Sequence, residues 1–372
     1  MKKTPPEPVP HFHDLGISPE ILTVLERVEY HHPTAVQHGF IPLALQGRDV
    51  IGQARTGTGK TAAFAIPMWE RFKELNKVRR PRGLVLVPTR ELAAQVYNEI
   101  QRLAPREHLH AVSIVGGERL RGQELKLRSG THIVVGTPGR VIDMIKRHIL
   151  DLSKIEVLVL DEADRMLDIG FRPDIEYILK HSPKERQTFL LSATMPPPIQ
   201  RLAQRYMKEP EHLDCSQTGV GNETIEQSYF TVAPNKKFEL LCRLLMRERP
   251  KQAIVFCRTK RRTDEICRRL SEKLKGVGMM HGDMRQTERN RVMTRFRQGQ
   301  VCVLVATDVV GRGIDVTGIS HIINYDVPED SDDYVHRVGR TGRMGRDGIS
   351  FTFVTLDEGD FLTRIEMRID RL

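Results

Sequence analysis

The chain has 372 residues, 39% hydrophobic and 28% charged, a composition typical of a soluble folded protein and not of a disordered one. Its length favours two domains of about 150–200 residues each. Its net charge of +10 favours a polyanionic partner, and because residues 215–372 hold 27 Lys/Arg against 22 Asp/Glu, both halves carry the excess. No apolar run approaches the ~18 residues of a membrane span, and we expect no secretion signal. Five cysteines without metal-ligand spacing indicate free thiols and a cytoplasmic protein.

Short aliphatic runs alternate with longer, partly charged segments in the first half of the chain. The runs are "DVIGQ", "GLVLVP", "AVSIVG", "HIVVGT", "VLVLDE" and "TFLLSAT". Continuous apolar strands that alternate with helices predict a parallel sheet covered by helices on both faces. In such a sheet the functional residues are expected at the carboxyl ends of the strands.

The polar segment "CSQTGVGNET", residues 215–224, has no periodicity and is predicted to link two domains. The strand pattern then repeats with "AIVFC", "GVGMMHG", "CVLVATD", "HIINYD" and "SFTFVT", and a short amphipathic segment, "FLTRIEMRIDRL", ends the chain. We therefore predict two parallel-sheet α/β lobes of similar construction, at residues 41–214 and 225–372.

The segment "ARTGTGKT" follows the first predicted strand and precedes a helical segment. It fits the phosphate-loop pattern G-x-x-x-x-G-K-[ST] with alanine at the first position, and Gly57 and Gly59 supply the tight turn. Backbone N–H groups of such a loop favour phosphate. Lys60 is predicted to reach the β- and γ-phosphates of ATP, and Thr61 to ligate Mg²⁺. The predicted nucleotide contacts are Ala54, Arg55, Thr56, Gly57, Thr58, Gly59, Lys60 and Thr61.

The segment "VLVLDEAD" runs a predicted buried strand directly into acids. A strand that merely ends at the surface is the simpler interpretation, but a phosphate loop also requires carboxylates that hold Mg²⁺ from the opposite side. We predict that Asp161 holds Mg²⁺, partly through water, and that Glu162 positions or deprotonates the attacking water. Asp164 lies one residue too far along for either role.

"DEAD", with "ARTGTGKT" and a later "SAT", resembles the DEAD-box family of ATP-dependent RNA helicases, from about Phe12 to the end of the second lobe. The resemblance implies a minimal helicase core of two RecA-like lobes that bind ATP-Mg²⁺ and RNA in the cleft between them. It also implies that an N-terminal segment, residues 1–40, reads adenine through Phe12, Thr34 and Gln37. A glutamine amide can accept a hydrogen bond from the adenine amine and donate one to N7.

The resemblance gives Asp164 a role as well, because Ser192 and Thr194 of "SAT" would hydrogen-bond to it and couple the ATP site to lobe closure. His336, from "HRVGRTGRMGR", would face these segments.

From the same stretch, Arg340 and Arg343 would be arginine fingers that stabilise charge on the γ-phosphate, an effect of ~10³–10⁵ in rate. From "TDVVGRGID", Gly313 and Asp315 would belong to the ATP site, with Asp315 near the ribose or the fingers.

Several further segments combine Arg, Thr and Gly, the residue types that contact phosphates through guanidinium, hydroxyl and N–H groups. Each segment alone is a weak indication of RNA binding, and only their joint occurrence supports it. The candidate RNA contacts are Pro88, Thr89, Arg90, Gly116, Gly117, Thr137 and Arg140 in the first half, and Arg258, Gly282, Arg289, Thr307 and Asp308 in the second. Because only 6% of the residues are aromatic, RNA binding is expected to be sequence-independent and salt-sensitive.

These observations predict an ATP-dependent RNA helicase that is stimulated by RNA and unwinds short duplexes or remodels RNA–protein complexes. We expect a monomer that is targeted by protein partners. Two alternatives stay open: a DNA-acting motor of the wider superfamily, and an RNA clamp that uses ATP only to lock.

Overall fold

The computed structural model describes residues 10–54, 57–75, 80–215, 225–308, 318–342 and 347–369. The chain divides into two units, residues 1–219 and 220–372. The dividing point lies within the segment that the sequence predicts as a linker, and residues 216–224 of that segment lie outside the described residues.

The described residues of the first lobe form a seven-stranded parallel sheet in the order β3-β4-β2-β5-β6-β1-β7. Its strands are β1 (Val50–Gln53), β2 (Gly83–Leu86), β3 (Ala111–Ile114), β4 (Ile133–Gly136), β5 (Val157–Leu160), β6 (Gln187–Ser192) and β7 (Glu211–Asp214). Its helices are α1 (Pro19–Arg27), α2 (Ala35–Leu45), α3 (Lys60–Phe72), α4 (Arg90–Arg102), α5 (Leu120–Arg128), α6 (Pro138–Lys146), α7 (Ala163–Asp168), α8 (Arg172–His181) and α9 (Pro197–Tyr206), preceded by a 3₁₀ helix (Phe12–Leu15).

The described residues of the second lobe form a six-stranded parallel sheet in the order β10-β11-β9-β12-β13-β8. Its strands are β8 (Ile225–Thr231), β9 (Ala253–Phe256), β10 (Val277–Met280), β11 (Val303–Ala306), β12 (His321–Asn324) and β13 (Gly348–Val354). Its helices are α10 (Lys237–Glu248), α11 (Lys260–Ser271), α12 (Gln286–Arg297), α13 (Ser331–Val338) and α14 (Gly359–Ile369), with 3₁₀ turns at Pro234–Lys236 and Leu356–Glu358.

Helices cover both faces of the first sheet, which is why its strands β2, β4 and β5 contain no polar side chain. In β2, Val85 packs into the core that contains Trp69, whereas Leu84 and Leu86 pack into the core on the opposite face. Successive residues of a strand point to opposite faces, so a strand that is buried on both faces shows no polar alternation. The prediction of two parallel-sheet α/β lobes is confirmed.

The aliphatic-run criterion missed two strands, β7 and β8, which form edges of the two sheets. Strand β7 alternates half-buried and exposed residues, and β8 keeps only Ile225 fully buried. An edge strand with one solvated side accepts polar residues, so its sequence lacks the continuous apolar run of a central strand. In the described part of the chain, no helix combines the length and apolar character that a membrane crossing needs.

Candidate active site

The strand order of the first sheet brings the phosphate loop and the acidic segment to one edge. Strand β6 pairs with both β1 and β5, so the loop after β1 and the acids after β5 flank the end of β6. Gly57 and Gly59 have positive φ angles of 84° and 87°, which glycine adopts without steric penalty. The Lys60 ammonium donates a 2.7 Å hydrogen bond to the carbonyl of Ala54, which ties the start of α3 to the end of β1.

The predicted adenine-reading residues contact this loop directly. The Thr34 hydroxyl donates to the Thr58 carbonyl at 2.8 Å, and Gln37 Nε2 donates to the Gly59 carbonyl at 3.1 Å. A Cβ on Gly59 would lie 2.5 Å from Gln37 Nε2 and would displace this amide from its contact with the loop. Gln37 and Thr34 also form a capping box at the start of α2, which orients the amide.

Phe12 lies in the core, with 4% of its surface exposed, and its ring stacks against Tyr30 at a centroid distance of 6.5 Å. Stacking on adenine requires an accessible ring face, and its role in nucleotide binding stays a prediction.

Asp161 is 3% exposed at the end of β5. Burial raises the pKa of Asp161 to about 7, and the ammonium of Lys60 opposes this shift. A divalent cation beside a buried carboxylate favours its ionised form. The Asp161 carboxylate and the Thr61 hydroxyl supply the oxygen ligands that Mg²⁺ prefers, so these residues fit the ion.

Glu162 follows in a left-handed backbone conformation, with φ of 50°, and its N–H donates to Asp161 Oδ1 at 3.0 Å. Its carboxylate forms a buried ion pair with Arg165. The sequence interpretation missed Arg165. Its position three residues after Glu162, one helical turn away, is the signal that points to this pair.

The hydrogen bonds expected around Asp164 are present. Asp164 Oδ2 accepts the Thr194 hydroxyl at 3.1 Å and the N–H groups of Ala193 and Thr194 at 2.9 Å each. The Ser192 hydroxyl accepts from the Asp164 N–H at 3.2 Å. The carboxylate therefore ties the acidic segment to the end of β6, while its role in coupling stays a prediction.

The predicted RNA contacts of the first lobe follow β2, β3 and β4, which are neighbours in the sheet. The guanidinium of Arg90 lies over Gly116 and Gly117, and a Cβ on Gly117 would overlap it. Thr89, which follows the buried Pro88, caps α4 by accepting from Leu92 N at 3.3 Å. At the carboxyl edge of this sheet, the candidate nucleotide residues therefore follow β5, β6 and β1, and the RNA candidates follow β3, β4 and β2.

Beside them, Thr137 precedes α6 and donates from its backbone to the Ile114 carbonyl at 3.3 Å. Arg140 donates to the Glu118 carbonyl at 3.4 Å. Both contacts tie the end of β4 to the segment after β3.

In the second lobe, the RNA candidates follow the neighbouring strands β9, β10 and β11. A cavity of about 590 Å³ there is lined by Arg258, Thr259, Lys260, Arg261, Gly282 and Thr307. Arg258 is partly engaged within the lobe, because its Nη2 donates to Glu358 Oε1 at 3.0 Å.

The structure pairs Asp308 with Arg337, which the sequence interpretation missed. Both carboxylate oxygens of Asp308 accept from the guanidinium, at 2.5 and 2.7 Å, and Arg337 is 1% exposed. Asp308 thus has a structural partner within its lobe, and its contact with RNA stays a prediction.

Other predicted residues of this lobe are buried. Arg289 of α12 is 7% exposed, and Arg340 is 4% exposed and donates from Nε to the His336 carbonyl at 3.2 Å. The following predicted site residues lie outside the described residues: Arg55, Thr56, Gly313, Asp315 and Arg343.

A phosphate loop, a buried acidic pair and a second parallel-sheet lobe define a two-lobed nucleotide-binding α/β protein. The DEAD/DEAH box helicase model matches residues 34–202, and the helicase conserved C-terminal domain model matches residues 236–345. The DEAD-box ATP-dependent RNA helicase CshA of Geobacillus kaustophilus is 46% identical over 360 residues, which cover 97% of this chain and 77% of the relative. The CshA of Bacillus cereus is 45% identical over 97% of this chain and 68% of its own.

Solved structures of the same class are also similar. S. cerevisiae Dbp5 bound to RNA and ADP BeF3 has a TM-score of 0.89 and 31% identity, over 97% of this chain and 94% of the other. Mss116p bound to single-stranded RNA and AMP-PNP has a TM-score of 0.88 and 30% identity, over 100% of this chain and 80% of the other. The chain belongs to the DEAD-box family of ATP-dependent RNA helicases.

Proposed function

We propose that this chain hydrolyses ATP in response to RNA and uses the cycle for local, non-processive unwinding of short RNA duplexes or remodelling of RNA–protein complexes. The observation that supports the proposal is that the candidate nucleotide residues and the RNA candidates follow different strands at the same edge of the first sheet. Nucleotide residues follow β1, β5 and β6, and RNA candidates follow β2, β3 and β4. Because β5 pairs with β2, the two sets meet at adjacent strand ends. We further propose that it acts as a cytoplasmic monomer with protein partners that target it.

The proposed reaction begins with binding of the ATP phosphates by the loop N–H groups and Lys60. Asp161 and Thr61 would hold Mg²⁺, which neutralises phosphate charge when bound. Glu162 would accept a proton from the attacking water or orient it. Arg340 and Arg343 would stabilise the charge that develops on the γ-phosphate.

Adenine would be read by Gln37. An amide has two N–H donors and two acceptor lone pairs, so Gln37 retains capacity beyond its bonds to Thr34 and Gly59. The contacts to RNA would come from the Arg, Thr and Gly segments that face its phosphates and not from base stacking, so RNA binding would be sensitive to salt.

The test is steady-state ATP hydrolysis without nucleic acid, with single-stranded RNA, and with single-stranded DNA of equal length. We expect strong stimulation by RNA alone. Equal stimulation by DNA would instead favour the DNA-acting motor, and a long-lived closed state without turnover would favour the clamp.

A substitution of Glu162 distinguishes a loss of ATP hydrolysis from a loss of ATP or RNA binding. Glu162→Gln should retain binding of ATP and RNA while turnover falls by ~10²–10⁴, the usual contribution of a positioned base. The exposed Glu185→Gln is the matched control and should keep wild-type turnover. Wild-type turnover in Glu162→Gln would remove Glu162 from the mechanism.

A further inference from the structure

Helix α12 carries a concentration of exposed arginines in the second lobe. Arg285 at the N-cap and Arg291, Arg295 and Arg297 within the helix are all exposed. With 3.6 residues per turn, only Arg291 and Arg295 point to the same side, and we define these two residues as the α12 arginine face. The single acid within the helix, Glu288, uses its carboxylate to accept the backbone N–H of Arg285 at 3.2 Å. Within the part of the chain that the structure describes, no ion pair is formed by these four arginines.

Helix α11 of the same lobe is equally basic, but among the described contacts three of its four arginines form ion pairs, and Arg261 is the exception. Arg262 and Arg269 pair with Glu265 at 2.9 and 3.2 Å, and Arg268 pairs with Glu272 at 3.4 Å. Spacings of three or four residues between opposite charges are the usual way to stabilise an exposed helix. In α12 the spacing exists only around Glu288, and within the described residues this carboxylate accepts the Arg285 N–H and forms no ion pair with Arg285 or Arg291. A general preference for basic helices therefore does not explain the arginines of α12.

The positions of the α12 arginines are unfavourable for the isolated helix. Arg291 and Arg295 lie one turn apart on the side opposite to the buried Phe296, and like charges at this spacing destabilise a helix. Arg285 lies at the N-terminal end, where the helix dipole is already positive. The dipole favours cations only near the C-terminus, which accounts for Arg297 and in part for Arg295. A bound polyanion would compensate for this repulsion.

The N-terminus of the helix lies next to the predicted RNA contacts, and the helix leads away from them toward the start of β11. It follows β10 and Gly282, and Gly282 lines the cavity of about 590 Å³ that Arg258 and Thr307 also line. At 1.5 Å per residue, the 12 residues of α12 span about 18 Å. Arg291 and Arg295, four residues apart, are separated by about 6 Å along the helix axis, so the two guanidinium groups can contact neighbouring phosphates of one strand.

We propose that the α12 arginine face binds the phosphate backbone of RNA beyond the nucleotides held at the carboxyl edge of the second sheet. The proposal rests on the proposed function, because it extends the same RNA-binding surface. The face binds without regard to base sequence and adds affinity only for RNA long enough to reach it.

The test measures the RNA concentration that half-saturates ATP hydrolysis for a series of single-stranded RNAs of increasing length. For the wild type, half-saturation continues to improve over a few nucleotides beyond the shortest RNA that gives full stimulation. In the double variant Arg291→Gln/Arg295→Gln, this improvement is lost, so that long RNA binds about tenfold more weakly while the shortest RNA is unaffected. The salt dependence for long RNA becomes shallower by about 0.7 in log–log slope for each lost contact.

Arg268→Gln on α11 is the matched control, since it removes one exposed arginine that has an acidic partner. It should follow the wild type at every length. Equal weakening of short and long RNA in the double variant, or a wild-type length dependence, overturns the proposal and assigns the face to another partner such as an acidic protein segment. If no RNA stimulates the wild type, the proposed function fails together with the inference, whereas stimulation without the length effect overturns the inference alone.

Discussion

Arg165 Nη1 lies 3.2 Å from Glu162 Oε2, and the two side chains retain only 2% and 8% of their exposure. The pair joins the predicted base for ATP hydrolysis to the first turn of α7. Glu162 also has a left-handed backbone, at φ of 50°, and the contact with Arg165 holds its carboxylate beside α7. We therefore predict that Arg165 positions the Glu162 carboxylate.

Replacing Arg165 by methionine should reduce turnover and leave the KM for ATP nearly unchanged. The change removes a charge-assisted hydrogen bond that orients Glu162, without touching the phosphate loop. We expect kcat to fall about tenfold. This is less than the ~10²–10⁴-fold rate enhancement that a positioned base supplies, because Glu162 itself is still present. Arg165→Lys retains a cation and should recover part of the loss. Wild-type kcat in a folded Arg165→Met protein would show that Glu162 is oriented by other groups.

Gly117→Ala should weaken RNA binding. The added Cβ would overlap the Arg90 guanidinium, and the φ of 76° disfavours any residue with a side chain. We expect a several-fold higher half-saturating RNA concentration and about 1 kcal/mol lower unfolding free energy. Gly122→Ala is the control, because nothing lies within 4 Å of its Cβ position on α5. It should leave RNA binding unchanged, and the same RNA affinity in both variants would count against Arg90 as a contact.

Glu29→Gly should stabilise the protein. Glu29 follows α1 at φ of 62°, and the next N–H, of Tyr30, donates to the Leu25 carbonyl at 2.8 Å, as in a helix-ending Schellman motif. Left-handed geometry costs a residue with a Cβ about 1–2 kcal/mol, and glycine removes this cost. Glycine also raises the entropy of the unfolded chain, which lowers the unfolding free energy by about 0.4–1 kcal/mol. The expected net gain is about 0.5 kcal/mol by urea unfolding.

The control for this variant is Glu26→Gly, which removes the same charge from within α1. It should lower the unfolding free energy by about 1 kcal/mol, because glycine is a poor helix former. Equal effects of the two variants would mean that charge, and not backbone conformation, decides the outcome.

His321 should make the protein less stable at mildly acidic pH. Its burial lowers the pKa of the imidazole, against the attraction of Glu248. The unfolded chain binds a proton near pH 6.5 while the folded chain stays neutral, so the unfolding free energy decreases as the pH falls below 6.5. Between pH 7.5 and 5.5, the wild type should lose up to about 1.4 kcal/mol more than His321→Gln. Identical losses in urea titrations of the two proteins would exclude His321 as the cause.

The candidate nucleotide site could be proposed from the sequence because its residues are neighbours along the chain. Lys60 follows its glycine turn directly, and Asp161 and Glu162 follow their strand, so local pattern and strand-to-helix transitions were enough. The central strands were equally predictable, since burial on both faces requires continuous apolar runs.

The strand order, by contrast, was decided only by the tertiary structure. Parallel strands that pair are separated by long stretches of chain, and the sequence of the aliphatic runs does not indicate which strands are neighbours in the sheet. This order separates the nucleotide residues from the RNA candidates along one edge. It also brings Asp308 to Arg337, 29 residues apart, and leaves the polar strands β7 and β8 at the edges. Local patterns specify the chemistry of each strand end, whereas hydrogen bonding between distant strands decides which ends act together.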